Sequence, residues 1–515
     1  MRKVARAILV LTVAGSLGAG GPGAAAGPAD CLAPAVDERC EAWAARERAT
    51  DSTTISYWVN HPTVSAGSDL VFTSGIRGEE QVLATVAHDA ETGEERWDAE
   101  APEMTSWGSI TQALAPDGST LFVAGHGAGR LAVVAYRSDT GAVAWQVPGV
   151  AVEQGTDTPS YPRGIAVSPD GATLYVGGVT SRRGDRDLFL VALDAGTGAE
   201  RWRHVYRGPA GRDEAGGVVA VDPTGERVYL TGTQDIVPSY PDDQEEGDVV
   251  VLAFGAAEEG GGDLLWTASF DGPAGYRDAA HAIVAAGGGV YVGATLDRNL
   301  GTASHAADLA VLAFDGMSGS LRWAATHDGP AGGPDSLTGL AAAPGGGTVY
   351  AAGWTSAVFT RAAGDTAARS ATDYDAVVLA LDAASGAIAW TTPLGLPGHT
   401  TEGTTGIAVA PDGEHVYATG LSEVAGYGFL AINGGSFTAD SGLGSYATAA
   451  LSADGGTPVW SARYRAEADE GARPWSISMA PDGSRVYVAG MVSRAVVEAD
   501  TLEMPSAYVT VAYEA

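Results

Sequence analysis

Four acidic residues hold one place in a loop that recurs along the chain. The loops read YRGPAGRDEAGGV (206–218), FDGPAGYRDAAHAI (270–283), HDGPAGGPDSLTGL (327–340) and LGLPGHTTEGTTGI (394–407). In them Asp213, Asp278, Asp335 and Glu402 each stand five residues before an apolar residue, namely Val218, Ile283, Leu340 and Ile407. Carboxylates gathered in a ring would suit a hard cation such as Ca²⁺, which takes oxygen ligands. The same side chains have a second use, capping their own turns through backbone N–H groups, and the sequence leaves both open. Asp157 and Glu470 occupy similar places with looser spacing. Trp107 and Trp475 sit beside these loops, just before apolar strands. An aromatic face next to a carboxylate suits a sugar or a cation, so Asp157, Glu470, Trp107 and Trp475 are the candidate ligand-binding residues. Burial of the two rings against a neighbouring element is the alternative.

His281, His327 and His399 lie in or near the loops, with Arg163, Arg212, Arg277 and Arg473. Histidine beside a carboxylate can do general acid–base work, yet no spacing joins these groups into a triad. The chain has no G-x-S-x-G and no H-E-x-x-H. No catalytic residue is assigned.

The elements that must position these loops are themselves a repeat. VALDAGTGAERW (191–202) returns as VAYRSDTGAVAW (134–145) and VLALDAASGAIAW (378–390). A glycine precedes a tryptophan by four residues at Gly93/Trp97, Gly141/Trp145, Gly198/Trp202, Gly262/Trp266, Gly319/Trp323, Gly386/Trp390 and Gly456/Trp460. Glycine accepts the positive φ of a hairpin turn, and an aspartate such as Asp89, Asp194, Asp315 or Asp382 can bond to that turn's backbone. Alternating with this hairpin is a Pro-Asp-Gly turn followed by an aromatic strand, as in APDGSTLFVAG (115–125) and APDGSRVYVAG (480–490). One unit is therefore four strands.

The aromatic of the second strand recurs as Phe72, Phe122, Tyr175, Tyr229, Tyr291, Tyr350, Tyr417 and Tyr487, which makes eight units against seven glycine–tryptophan hairpins. The chain stops at AYVTVAYEA, a third strand. Stepping back 29 residues from Phe72 reaches Trp43 in CEAWAARER. This predicts an all-β fold, an eight-bladed β-propeller of four-stranded antiparallel blades, closed by an N-terminal strand that completes the last blade. A short helix over 38–49 is the competing expectation.

The pattern A-x-D-x-x-[TS]-G-x-x-x-W resembles the PQQ-like β-propeller repeat of the quinoprotein alcohol dehydrogenase-like superfamily. Its best copy is Ala192, Asp194, Thr197, Gly198 and Trp202. The resemblance implies that the repeat tryptophans stack between neighbouring blades. For enzymes of the family it also implies PQQ and Ca²⁺ in the axial funnel. Those enzymes carry a vicinal cysteine pair above the cofactor, and this chain has no adjacent cysteines, so PQQ is disfavoured. Other relatives use the ring purely as an assembly scaffold, and fold does not decide between the two.

Arg2, Lys3 and Arg6 precede an apolar run from Ala7 to Leu17 and the small residues GAAAGPA, which reads as a secretory signal peptide over 1–26. The remaining 27–515 is expected to be one propeller domain, outside the cell, with no membrane-spanning segment. The chain's formal charge is −34, becoming −37 once residues 1–26 are removed, a surface that repels nucleic acid. Its two cysteines, Cys31 and Cys40, are expected to form one disulfide in an oxidising compartment. These readings point to a secreted monomer that binds a protein or glycan at the cell surface. No cofactor is expected, with Ca²⁺ left open. The rival is an enzyme, a quinoprotein oxidoreductase or a hydrolase with a carboxylate-lined central site.

Overall fold

A computed structural model describes residues 41–50 and 63–515, leaving out the segments 79–80, 106–109, 151, 153–158, 183–184, 238–245, 257–260, 299–306, 357–373, 395–398, 425–443, 468–469, 494–495, 499–500 and 504–505. Both cysteines, Trp107 and Asp157 fall outside the described residues. Eight four-stranded antiparallel blades follow one another along the chain. Blade three is typical: Ser160–Val167, Thr173–Arg182, Asp185–Asp194 and Glu200–Tyr206 pair in chain order from the inner edge outward. Among the described residues there is no helix, and none long and apolar enough to cross a membrane.

Each blade is covered on both faces by its neighbours, so its middle strands read as apolar runs without alternation. Leu188 to Leu193 of blade three are all fully buried, as are Val249 to Phe254 of blade four. The outermost strands alternate instead. Leu264–Phe270 and Leu321–His327 present every second side chain to solvent.

The glycine–tryptophan spacing now has its physical cause. The tryptophan of one blade lies on the turn glycine of the next. A methyl group added at Gly198 would lie 2.5 Å from Trp145, and one at Gly386 2.6 Å from Trp323. The same glycines hold φ near +74° and +73°, where side chains are disfavoured. Several of these indoles also donate to a carbonyl of that turn, Trp97 to Ser138 at 2.8 Å and Trp145 to Ala195 at 2.8 Å. Tyr229 and Trp266 both donate to the Gly316 carbonyl, at 3.2 Å each. Within the turns, Asp194 accepts from the Thr197 N–H at 2.9 Å and Asp382 from the Ser385 N–H at 2.8 Å.

The segment around Trp43 is a strand, Glu41–Thr50, which overturns the helical expectation for 38–49. It pairs antiparallel with Ser506–Glu514, completing blade eight in the order Gly471–Met479, Arg485–Ser493, Ser506–Glu514, Glu41–Thr50. The alternation of small and polar residues in EAWAARERAT suits an outer strand as well as a helix; tertiary pairing decides it. Trp43 takes the docking place, donating to the Ala90 carbonyl at 3.2 Å and lying over Gly93. Arg46 grips Glu470 with two hydrogen bonds, at 2.9 and 2.6 Å.

Candidate functional site at the loop-bearing mouth of the ring

The connections from a fourth strand to the next inner strand and those from second to third strands emerge on one face. Arg298, in the second-to-third connection of blade five, reaches Asp328 in the loop that opens blade six. Arg186, at the start of the third strand of blade three, reaches Asp213 at the start of blade four, its N–H donating at 3.0 Å.

The recurring acids on this face are bound into their loops. Asp278 accepts from the Gly272 N–H, and Asp335 from the Gly329 N–H and, at 2.8 Å, from the Ser356 N–H. In blade four the same job falls to Glu214, which accepts from the Gly208 N–H at 2.9 Å. Glycine and acid are six residues apart in all three loops. Strand register agrees: Gly216 faces Gly232 as Ala280 faces Ala294 and Leu337 faces Gly353, so Glu214, Asp278 and Asp335 are equivalent. Asp213 is one residue out of that register and pairs with the exposed Arg186 instead. Glu402 occupies the equivalent place in blade seven, accepting from the Ser422 hydroxyl at 3.3 Å and lying 3.9 Å from Arg463. Glu470 is held by Arg46 across the ring closure.

Sequence reasoning missed the partner set. Asp187, Asp248, Asp308 and Asp375 stand at matching places at the start of four third strands. The signal was available, an aspartate just ahead of each run LFLVAL, VVVLAF, LAVLAF and AVVLAL. Asp187 pairs with Arg207 at 3.1 Å, and Asp308 with Arg298 at 2.7 Å. Burial pushes the Glu214 and Asp278 carboxyls up to about 7 and raises Asp335 and Asp375 above the usual carboxylate range.

Among the described residues, Asp308, Asp328 and Asp335 bring carboxylate oxygens within 4.8 Å of one another, a spacing open to a metal ion. The guanidinium of Arg298 already bridges the first two, bonding both oxygens of Asp328 at 2.9 Å. A divalent ion would have to displace that charge.

A different set of residues marks the inner edge. Six inner strands break register at one equivalent place, leaving an extra residue there: Arg163, Gly217, His281, Thr338, Thr405 and Trp475. A bulge re-aims a side chain and disrupts pairing locally. Arg163 and His281 are exposed, while Trp475 is half-buried. His281 bonds the Thr295 hydroxyl at 3.0 Å. Desolvation of the ring among the packed inner strands, with the positive charge of Arg277, pushes its imidazole down to about 4, so it is neutral near pH 7. His327 ends the outer strand Leu321–His327 and Arg473 lies in the inner strand Gly471–Met479, while the side chain of His399 falls outside the described residues.

A family model for the outer membrane protein assembly factor BamB matches residues 129–370. Among solved structures, Chaetomium thermophilum Sqt1 bound to the N-terminus of the ribosomal protein L10 is 12% identical. That likeness covers 88% of this chain and 97% of that one, with a TM-score of 0.50. The quinohemoprotein alcohol dehydrogenase of Comamonas testosteroni is 13% identical over 91% of this chain and 76% of that one, with a TM-score of 0.46. BamB from Moraxella catarrhalis is 13% identical over 88% and 94%, with a TM-score of 0.39. No curated protein matches the chain. Identities this low speak to fold alone. The repeat, its tryptophan docking and the family model together place residues 129–370 in the PQQ-like β-propeller repeat family.

Proposed function

We propose that the chain is a non-catalytic propeller that acts outside the cell, binding a protein or glycan at the mouth that carries the long loops. The observation that carries this reading is the division of labour at that mouth. The recurring carboxylates are turned to loop closure and arginine pairing, while the bulges offer a guanidinium, an imidazole, hydroxyls and the Trp475 ring at one level of the inner edge. A neutral imidazole, an aromatic face and hydroxyls are the groups that hold sugars and peptides by stacking and hydrogen bonds. The second-to-third strand connections at 239–248, 355–372 and 423–445 differ in length along the sequence, as recognition loops do.

Thermal unfolding of the protein with EDTA, with Ca²⁺, and with Ca²⁺ plus PQQ tests the reading. The expected midpoint is the same in all three. A ligand at a hundred times its dissociation constant adds about 2.7 kcal/mol, so a real calcium or quinone site would be plain, and such a rise would overturn the proposal. The expected positive result is saturable binding of cell-surface polysaccharide or protein that Trp475→Ala weakens in a variant that remains folded at the assay temperature.

A further inference from the structure

The third strands align on the alanine that faces each docking tryptophan, such as Ala192 opposite Trp202 and Ala450 opposite Trp460. One residue earlier the other blades carry valine or leucine, as in Val191, Leu252, Leu312 and Leu379, but blade seven carries Ala449. Four residues earlier they carry larger side chains, as in Leu188, Val249, Leu309 and Tyr446, but blade six carries Ala376. The two truncations lie at the same blade boundary. Both line a cavity of about 160 Å³ between blades six and seven. Interiors are otherwise packed to crystal density, and an apolar cavity of about this size takes a six-carbon body.

One wall of the cavity is charged. Glu402 and Arg463 are 4% and 3% exposed, with Nη2 of the arginine 3.9 Å from Oε1 of the glutamate. Both are steadied by Ser422, whose hydroxyl receives from Arg463 at 2.8 Å and donates to Glu402 at 3.3 Å. Opposite charges side by side in a desolvated wall complement a head group that also carries both signs. The apolar remainder includes Leu394 and Leu421 beside the small side chains Ala376, Ala418 and Ala449.

We propose that this cavity binds a free aliphatic α-amino acid, with its carboxylate on Arg463, its ammonium on Glu402 and its side chain where Ala376 and Ala449 leave room. The site lies between blades six and seven, with Glu402 at its end nearer the loop-bearing face, and its occupant is independent of the function proposed above.

Calorimetric titration of the intact protein with L-leucine, 4-methylpentanoate and 3-methylbutylamine tests it. Leucine is expected to saturate a single site, and each probe with half the head group to bind about tenfold more weakly or worse. Ala376→Leu and Ala449→Leu restore the bulk found in other blades and are expected to abolish leucine binding while keeping or raising the unfolding temperature. No heat with leucine at millimolar concentration overturns the proposal. So does equal binding of 4-methylpentanoate, or leucine binding that survives both substitutions. The probe series uses the unaltered chain, so it decides even where a filled variant folds poorly.

Discussion

At the scale of single residues, the turn glycines carry more than turn geometry. Gly198 provides both a left-handed φ and the flat surface on which Trp145 lies. Gly198→Ala is expected to destabilise by about 1–3 kcal/mol, the cost of a strained backbone position, and more where the indole is displaced. Trp145→Ala removes a large packed side chain and should cost about 3–5 kcal/mol. Denaturant unfolding of the two variants and the double variant checks both. Coupling is expected, so the double variant should lose less than the two single losses combined. These residues were legible because turn chemistry and docking leave a fixed spacing in the sequence. The acids were less legible. Asp213 and Glu214 are adjacent, and only strand register, set by the bulge at Gly217, shows which of them faces Gly208. A one-residue slip in a strand reverses every side chain, and no count along the chain reveals a bulge.

At the scale of elements, the strand Glu41–Thr50 decides whether the ring is closed. Without it, the strand Ser506–Glu514 would present an open edge, a template for pairing with another chain. A version starting at residue 51 is expected to unfold at lower temperature and to elute as oligomers in size-exclusion chromatography; an unchanged monomer would contradict the closure. Trp43 made this strand findable, since its place follows from the repeat distance alone. The third-strand aspartates escaped notice for the opposite reason. Their meaning lies in the neighbouring blade, where Asp308 meets Asp335 and Arg298.

At the scale of the molecule, two populations of carboxylates pull stability in opposite directions. Turn aspartates are stabilised as anions: the Arg96 guanidinium and backbone N–H groups hold Asp89 down to about 2, and similar bonds lower Asp117, Asp170, Asp194, Asp382 and Asp482. Their contribution is present above the unfolded value near 4 and is lost as pH falls through the folded value. Burial raises Glu41, Glu214 and Asp278 to about 7, with Asp335 and Asp375 raised as well. These groups bind protons more tightly folded than unfolded, so they weaken the protein as pH rises from about 4 to about 7. The melting temperature is therefore expected to peak at about pH 4 and to fall toward both pH 8 and pH 2 in calorimetric scans. Glu214→Gln and Asp278→Asn together should flatten the alkaline side and leave the acid side unchanged.

The paired ends of the chain give the ring a seam, with Glu41 opposite Tyr513 and Trp43 opposite Ala512. Every other blade is continuous, so the place of the break is a property of the gene rather than of the architecture. Joining the two ends with a short linker and cutting the chain elsewhere between blades, for instance after Pro393, moves the seam without removing any docking tryptophan. Such a circular permutant is expected to melt within a few degrees of the parent. It should fold at a different rate, because the contacts that close last would then join other parts of the sequence. In the present arrangement Glu41–Thr50 is synthesised long before its partner Ser506–Glu514, and a ring permuted to close on a hairpin of its own would not have to wait.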